Sequence, residues 1–184
     1  MLFTPGAISS LFVVGFVASV LTSMLTGGLI DAYGRKLGCL VCAAVYTVDC
    51  LLVHADSYEA LWLGRVCAGV ASALLHSVFE AWFLGETAGK DLPDGWIGSV
   101  MSLQWFLDGV VAVTAGIVAQ YVANSGGTTA VFDLSAVLLV GVFVLVAVLW
   151  GENTGSSTSQ SQTKDALLAI VGDVRLLVVG LVQA

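Results

Sequence analysis

The sequence predicts an all-α membrane protein with five transmembrane helices, and three observations predict it. Of its 184 residues 58% are apolar and 10% charged, and the mean hydropathy is +0.99; ordinary soluble domains carry about 25% charge. Five stretches, at roughly 8–30, 37–53, 60–83, 97–123 and 129–150, come close to or exceed the about 20 apolar residues that cross a hydrocarbon core of about 30 Å. The six basic residues fall in alternate loops, apart from Arg65, which lies inside the third stretch. Two prolines and one short Ser/Gln-rich patch are the only other interruptions, which excludes extensive disorder and collagen-like or coiled-coil repeats. The net charge of −7 comes from acids scattered singly, so the lipid bilayer is the expected partner and nucleic acid is not. Cys39, Cys42, Cys50 and Cys67 all sit in apolar runs and not in loops, so they outline no disulfide framework.

The first stretch has no basic segment before it and runs on into Asp-Ala-Tyr-Gly-Arg-Lys, so it reads as a retained span and not a cleaved leader. The second is short and contains Asp49; the loop charges support it. Arg35 and Lys36 follow the first stretch, Lys90 the third, and Lys164 and Arg175 the fifth, whereas loops 1–7, 54–59 and 124–128 hold no Lys or Arg. Positive charge stays on the cytoplasmic side, so the N-terminus is expected outside and the 151–175 loop inside; the plasma membrane is the expected location of this integral multi-pass protein. Residues 1–150 then form a partial N-terminal helical bundle and 151–175 a cytoplasmic linker, flexible over GSSTSQSQ at 155–162. The apolar run 176–184 is too short to span and reads as the start of a further helix. An odd number of spans after a bare Met-Leu-Phe-Thr-Pro start suggests part of something larger.

Candidate chemistry concentrates on the first four stretches. Gly15, Ser19, Ser23, Gly27 and Asp31 follow one another at four-residue steps, a ridge of small residues that lets another helix approach. Asp31, at the end of that ridge, can accept hydrogen bonds from the N-terminus of a neighbouring helix. On the third stretch Arg65, Gly69, Ser72, Ala73, His76 and Glu80 share one broad face. An intramembrane arginine costs about 2.5–3.5 kcal/mol on insertion scales, so Arg65 must face a partner or a wet cavity. Asp49 and Arg65 both lie about 6–8 Å below the outer ends of their spans at 1.5 Å per residue. A structural Asp49–Arg65 pair and a substrate-facing Arg65 are both open and are compatible. Ser72 and His76 add donors along the same face. His76 and Glu80 stand at i,i+4, but two ligands without further His or Cys do not make a metal site, and no cofactor is expected. Asp108, near the middle of the fourth stretch, is either a carboxyl hydrogen-bonded between helices or a proton- or substrate-linked site. Cys39-x-x-Cys42 has no second pair. No nucleophile–base pair, phosphate-cradling loop or multi-ligand cluster points to an enzyme.

The turn GGLIDAYGRK (27–36), followed one span later by Leu61, Arg65, Gly69 and Ala73, resembles the two signature motifs of the major facilitator superfamily. More narrowly, LGRVCAGVASALLHSVFEAWFL (63–84), PDGWI (93–97), VAVTAG (111–116), WGEN (150–153) and DVRLLVVGLVQA (173–184) resemble its molybdate-anion transporter branch. In that register the five spans correspond to helices two to six of a twelve-helix transporter with helix seven begun, a partial fold in an incomplete N-terminal half. The resemblance implies uptake of molybdate or a similar oxyanion by alternating access, with the missing transmembrane helices as partners. It implies a cytoplasmic gate of Gly27, Asp31, Gly34, Arg35, Lys36 and Glu80, and candidate substrate contacts at Arg65, Ser72, His76 and Asp108. Ala32 departs from the pattern, since a basic residue usually follows the Asp of the turn; the ion network there is expected to be smaller. The fourth span lacks the Gly-Pro pattern of drug/proton antiporters. Two other readings stay open: a truncated, non-transporting membrane protein or interaction subunit, and a facilitator for a sugar or another organic or inorganic solute.

Overall fold

The computed structural model describes residues 4–55 and 57–154. Thr4 starts the first helix: its Oγ1 accepts the Ala7 amide at 3.4 Å, and Pro5 sits at the first helical position, where a missing N–H costs nothing. Helix α1 runs over Pro5–Tyr33 and ends at Gly34, whose amide donates to the Ile30 carbonyl at 3.0 Å. Gly34 has φ of +110°, a conformation that side chains with a Cβ rarely adopt, and α2 (Arg35–Leu52) begins at the very next residue. Ser57 caps α3 (Tyr58–Thr87) by accepting the Ala60 amide at 3.1 Å, with Glu59 in the first turn against the positive end of the helix. Positive-φ Gly95 precedes α4 (Trp96–Gly126), and Gly127 separates it from α5 (Ala130–Leu149). Among the described residues every regular element is helical. The expected linker beyond 154 and the apolar run 176–184 lie outside them.

Helix α3 is the middle of the bundle, packed on α1 along one side and α2 along another, while α5 lies against α2. Near their starts the parallel helices α1 and α3 are joined by Tyr58, whose hydroxyl meets Ser10 Oγ at 2.8 Å and donates to the Ala7 carbonyl at 3.3 Å. The contact is close because it is made by glycine. A Cβ on Gly69 would stand 2.8 Å from Ala18 Cβ and 3.0 Å from the Ser19 nitrogen, and one on Gly15 would touch the Arg65 carbonyl at 3.4 Å. Small residues serve this purpose in a bilayer, where apolar surface alone does not drive helices together. Gly38 opens α2 to Val78 in the same way, at 3.0 Å. The buried cluster is small and shared by four helices: Ile30, Cys39, Cys42, Leu74, Val78 and Val146.

Outside this seam the molecule is apolar where it is exposed, with Phe16, Tyr121 and Val148 each at least 70% accessible. That inversion suits a hydrocarbon solvent, in which the backbone is satisfied inside each helix. Helices α1, α3, α4 and α5 are long and apolar enough to cross a bilayer. Helix α2 is not among them; its 18 residues extend about 27 Å at 1.5 Å per residue. It buries Cys39, Cys42, Ala43, Asp49 and Cys50 against its neighbours, so lipid meets only part of its circumference. Helix α4 has no buried residue; among the described residues it packs on α5 and meets α3 through the Phe83–Trp96 ring pair, with centroids 6.1 Å apart.

Candidate functional site

The end of the bundle that carries Arg35 and Lys36 is braced by the segment after α5. Glu152 places its carboxylate over the N-terminus of α2, accepting the Lys36 amide through Oε1 at 3.0 Å and the Leu37 amide through Oε2 at 3.3 Å. A carboxylate there satisfies amides that the helix cannot pair and meets the positive end of its dipole. The Arg35 amide donates to the Asn153 carbonyl at 3.1 Å, and Lys36 Nζ donates to the Ala147 carbonyl at 2.9 Å. Trp150 stacks on Trp82 of α3 with ring centroids 3.8 Å apart, and Phe79 meets the same ring edge-on. Trp82 Nε1 donates to the Gly151 carbonyl at 2.9 Å, and Asn153 Nδ2 donates back to the Trp82 carbonyl at 3.1 Å. The α1–α2 turn, α3 and the end of α5 therefore form one bracket. Within it Arg35 donates from Nε and Nη2 to Asp31 Oδ1, at 3.2 and 3.0 Å.

Arg65 lies toward the opposite end of α3. Its Nη2 is 3.7 Å from Asp49 Oδ1 on α2, and the carboxylate is nearly buried while a third of the arginine side chain stays accessible. Asp49 Oδ1 has no hydrogen-bond donor within bonding distance, so the pair is held by charge at slightly long range. Gly64 leaves room for it, because a Cβ there would stand 3.0 Å from Asp49 Oδ1. The other side of Arg65 opens into a groove of about 200 Å³ between α1 and α3, whose polar lining is Ser19, Arg65 and Ser72. Phe12 and Phe16 form an apolar wall, and Gly15 and Gly69 set the depth. Chemically the groove offers a guanidinium and two hydroxyls, all able to donate, beside hydrocarbon.

The sequence profile of the MFS_5 family, described as sugar transporters with 12 TM segments, matches residues 2–184. The chain belongs to this family of the major facilitator superfamily. It is 33% identical to the molybdate-anion transporter of Xenopus laevis over 186 aligned positions, 99% of this chain and 41% of that protein. It is 33% identical to the molybdate-anion transporter of Danio rerio, across 82% of this chain and 32% of the relative. It is 32% identical to the mouse (Mus musculus) solute carrier family 2, facilitated glucose transporter member 12, across 76% of this chain and 21% of the relative. The chain thus spans about two fifths of the length of the first of these relatives. No solved structure matches it at a comparable level.

The facilitator motifs fall at two separate places. Asp31, Gly34, Arg35 and Lys36 stand in or beside the bracket, with Gly27 two turns back on α1 and Glu80 half-buried on α3. Arg65 and Ser72 share the groove. His76 does not line it: the ring is exposed, and its Nδ1 lies 2.8 Å from the Ser72 carbonyl of its own helix. Asp108 is not brought to the groove either. Its side chain is exposed on α4 without a hydrogen bond or ion pair among the described residues. Of its two open readings, a hydrogen bond to another helix finds no partner among the described residues, where α4 packs on α5 and meets α3 through Trp96 and Phe83. At the N-terminus of α2 it is Glu152 that takes the amides, while Asp31 receives Arg35. Sequence reasoning missed the bracket's Glu152, Asn153, Trp82 and Trp150; WGEN stood out there only as a family string. It also missed the His54–Asp133 contact, 2.7 Å between Nε2 and Oδ1, which joins α2 to α5 at the other end.

Proposed function

We propose that this chain contributes part of one half of a secondary active transporter that takes up molybdate or a similar oxyanion by alternating access, with Arg65 holding substrate charge. The observation that carries the reading is the position of Arg65, tethered to a nearly buried Asp49 on one side and open to the α1–α3 groove on the other. The tether offsets the desolvation of the guanidinium within the protein, so the accessible donors can meet an anion without a new ordering cost. A planar guanidinium offers several N–H donors in fixed geometry to an oxyanion. The printed names of the frog and fish relatives support the substrate class. In this reading the remaining helices of the transporter close the path, the basic end faces the cytoplasm and the bracket belongs to the cytoplasmic gate; the membrane is the plasma membrane and no catalytic chemistry is involved.

The test is molybdate uptake by the full-length transporter carrying Arg65→Lys. Lysine keeps the charge and loses the planar fork, so the apparent KM rises while membrane abundance holds. An unchanged KM would remove Arg65 from the site. A sugar substrate is favoured by the description of the family and by the mouse relative. Competition separates the two readings: sulfate and tungstate suppress molybdate uptake under the first, glucose under the second.

A further inference from the structure

We propose that Ser19 is a substrate-positioning residue, its hydroxyl completing with Arg65 a donor-lined subsite that selects fully deprotonated tetrahedral oxyanions. This rests on the reading of Arg65 as the anion-holding charge and adds a residue from the facing helix. Serines on α1 otherwise spend their hydroxyls on their own helix: Ser9 donates to the Pro5 carbonyl at 3.0 Å, Ser10 to that of Ala7 at 2.8 Å and Ser23 to that of Val20 at 2.8 Å. Ser19 makes no such bond and has no hydrogen-bond partner among the described residues, although it is half-buried and lines the groove. Ser72, the other hydroxyl of the lining, stands on α3 like Arg65, so Ser19 is the hydroxyl that α1 brings to the groove. Ser19 therefore keeps a donor free in the groove that Arg65 also lines.

Its place is set by the glycine contact between α1 and α3. Gly15 meets Arg65 and Gly69 meets Ser19, so each turn of α1 faces one turn of α3. The hydroxyl of Ser19 thus stands about one helical turn from the Arg65 backbone, a spacing that the long arginine side chain spans easily. A dianion with four oxygens and no proton can only accept, and it finds donors on two walls. An oxyanion that carries a hydroxyl must also place a proton on an acceptor, and no carboxylate lines the groove; the Asp49 carboxylate, on α2, sits over Gly64 of α3 and is already paired with Arg65. The lining therefore favours molybdate-like or sulfate-like dianions over hydrogen phosphate, because its side-chain acceptors are hydroxyl oxygens, and a hydroxyl turned to take the phosphate proton gives up its own donation to the anion.

The experiment measures molybdate uptake by the full-length transporter, normalised to membrane abundance, for Ser19→Ala and Ser19→Thr, with sulfate and phosphate as competitors. Losing one hydrogen bond to a charged acceptor raises the apparent KM about tenfold in Ser19→Ala, and the hydroxyl of Ser19→Thr restores most of it. Sulfate competes well with the parent protein and phosphate poorly, and Ser19→Ala narrows that ratio. If Arg65→Lys raises KM while Ser19→Ala leaves both KM and the ratio unchanged, the Ser19 proposal is overturned and the reading of Arg65 stands. If neither substitution moves KM, both fall. Should Ser19→Ala lower abundance, the threonine variant decides: parental KM and competition ratio support the hydroxyl, and a KM as high as that of alanine overturns it.

Discussion

At Gly69 the absence of a single methyl group sets how closely α1 and α3 can pack. A Cβ there would come within 2.8 Å of Ala18 Cβ and also meet the backbone at Gly15 and Ser19, so the two helices cannot keep their separation around a larger residue. Gly69→Leu is expected to remove most folded protein, measured as the monodisperse fraction on detergent size-exclusion chromatography. Gly116→Ala on α4, where nothing lies within 4 Å, is expected to leave the profile unchanged. The same residues explain what the sequence disclosed. The Gly15–Ser19–Ser23 ridge is legible because four-residue spacing is a local property of a helix, and Arg65 because a charge in an apolar run demands an explanation. Asp49 followed from depth matching on neighbouring antiparallel spans. Glu152 was not legible as a cap, since the amides it accepts lie 115 and 116 residues earlier in the chain. The partner of Asp108 is not legible for a related reason: its position within a span says nothing about whether another helix comes near.

Among elements, α2 depends most on residues outside itself. It starts without a capping side chain of its own, directly after Gly34, and borrows the carboxylate of Glu152. Glu152→Ala leaves the Lys36 and Leu37 amides to other partners and is expected to cost about 1 kcal/mol, the usual worth of an N-terminal cap with favourable charge. Gln in its place keeps an acceptor and loses the charge, so it is expected to fall between. Both are checked by thermal unfolding in detergent, followed through the near-ultraviolet signal of the stacked Trp82 and Trp150. Gly34→Ala is expected to be worse than either, because its Cβ would stand 2.6 Å from the Glu152 carboxyl carbon while φ stays at +110°. Combining it with Glu152→Ala removes the collision but leaves backbone strain of about 1–3 kcal/mol, so the double variant recovers only part of the loss.

For the whole molecule, the two ends of the bundle differ in kind. One end carries Arg35, Lys36 and the bracket; the other carries the His54–Asp133 contact and the loop leading to Tyr58. If the basic end is cytoplasmic, an impermeant thiol reagent applied to intact cells labels His54→Cys and spares Lys36→Cys; the reverse pattern would invert the topology. The native thiols add little background, since Cys39, Cys42 and Cys50 are buried and Cys67 is half-buried.

The packing also bears on what these residues can do alone. Helices α1, α2, α3 and α5 share a buried cluster, yet α4 contributes no buried residue over its 31 positions and leaves Asp108 facing the surroundings. A bare carboxylate in hydrocarbon is expensive, so α4 needs either a polar neighbour or a protonated Asp108 when these residues stand by themselves. The groove that holds Arg65 is likewise bounded by two helices and open elsewhere, whereas alternating access requires a second bundle to close over the site in turn. Residues 1–184 reconstituted alone in liposomes are therefore expected to insert but to give no saturable molybdate uptake. Under the proposed function, co-expression with the remaining helices of the transporter restores it. Saturable uptake by residues 1–184 alone would mean that α4 and the groove find their missing walls in further copies of the same chain.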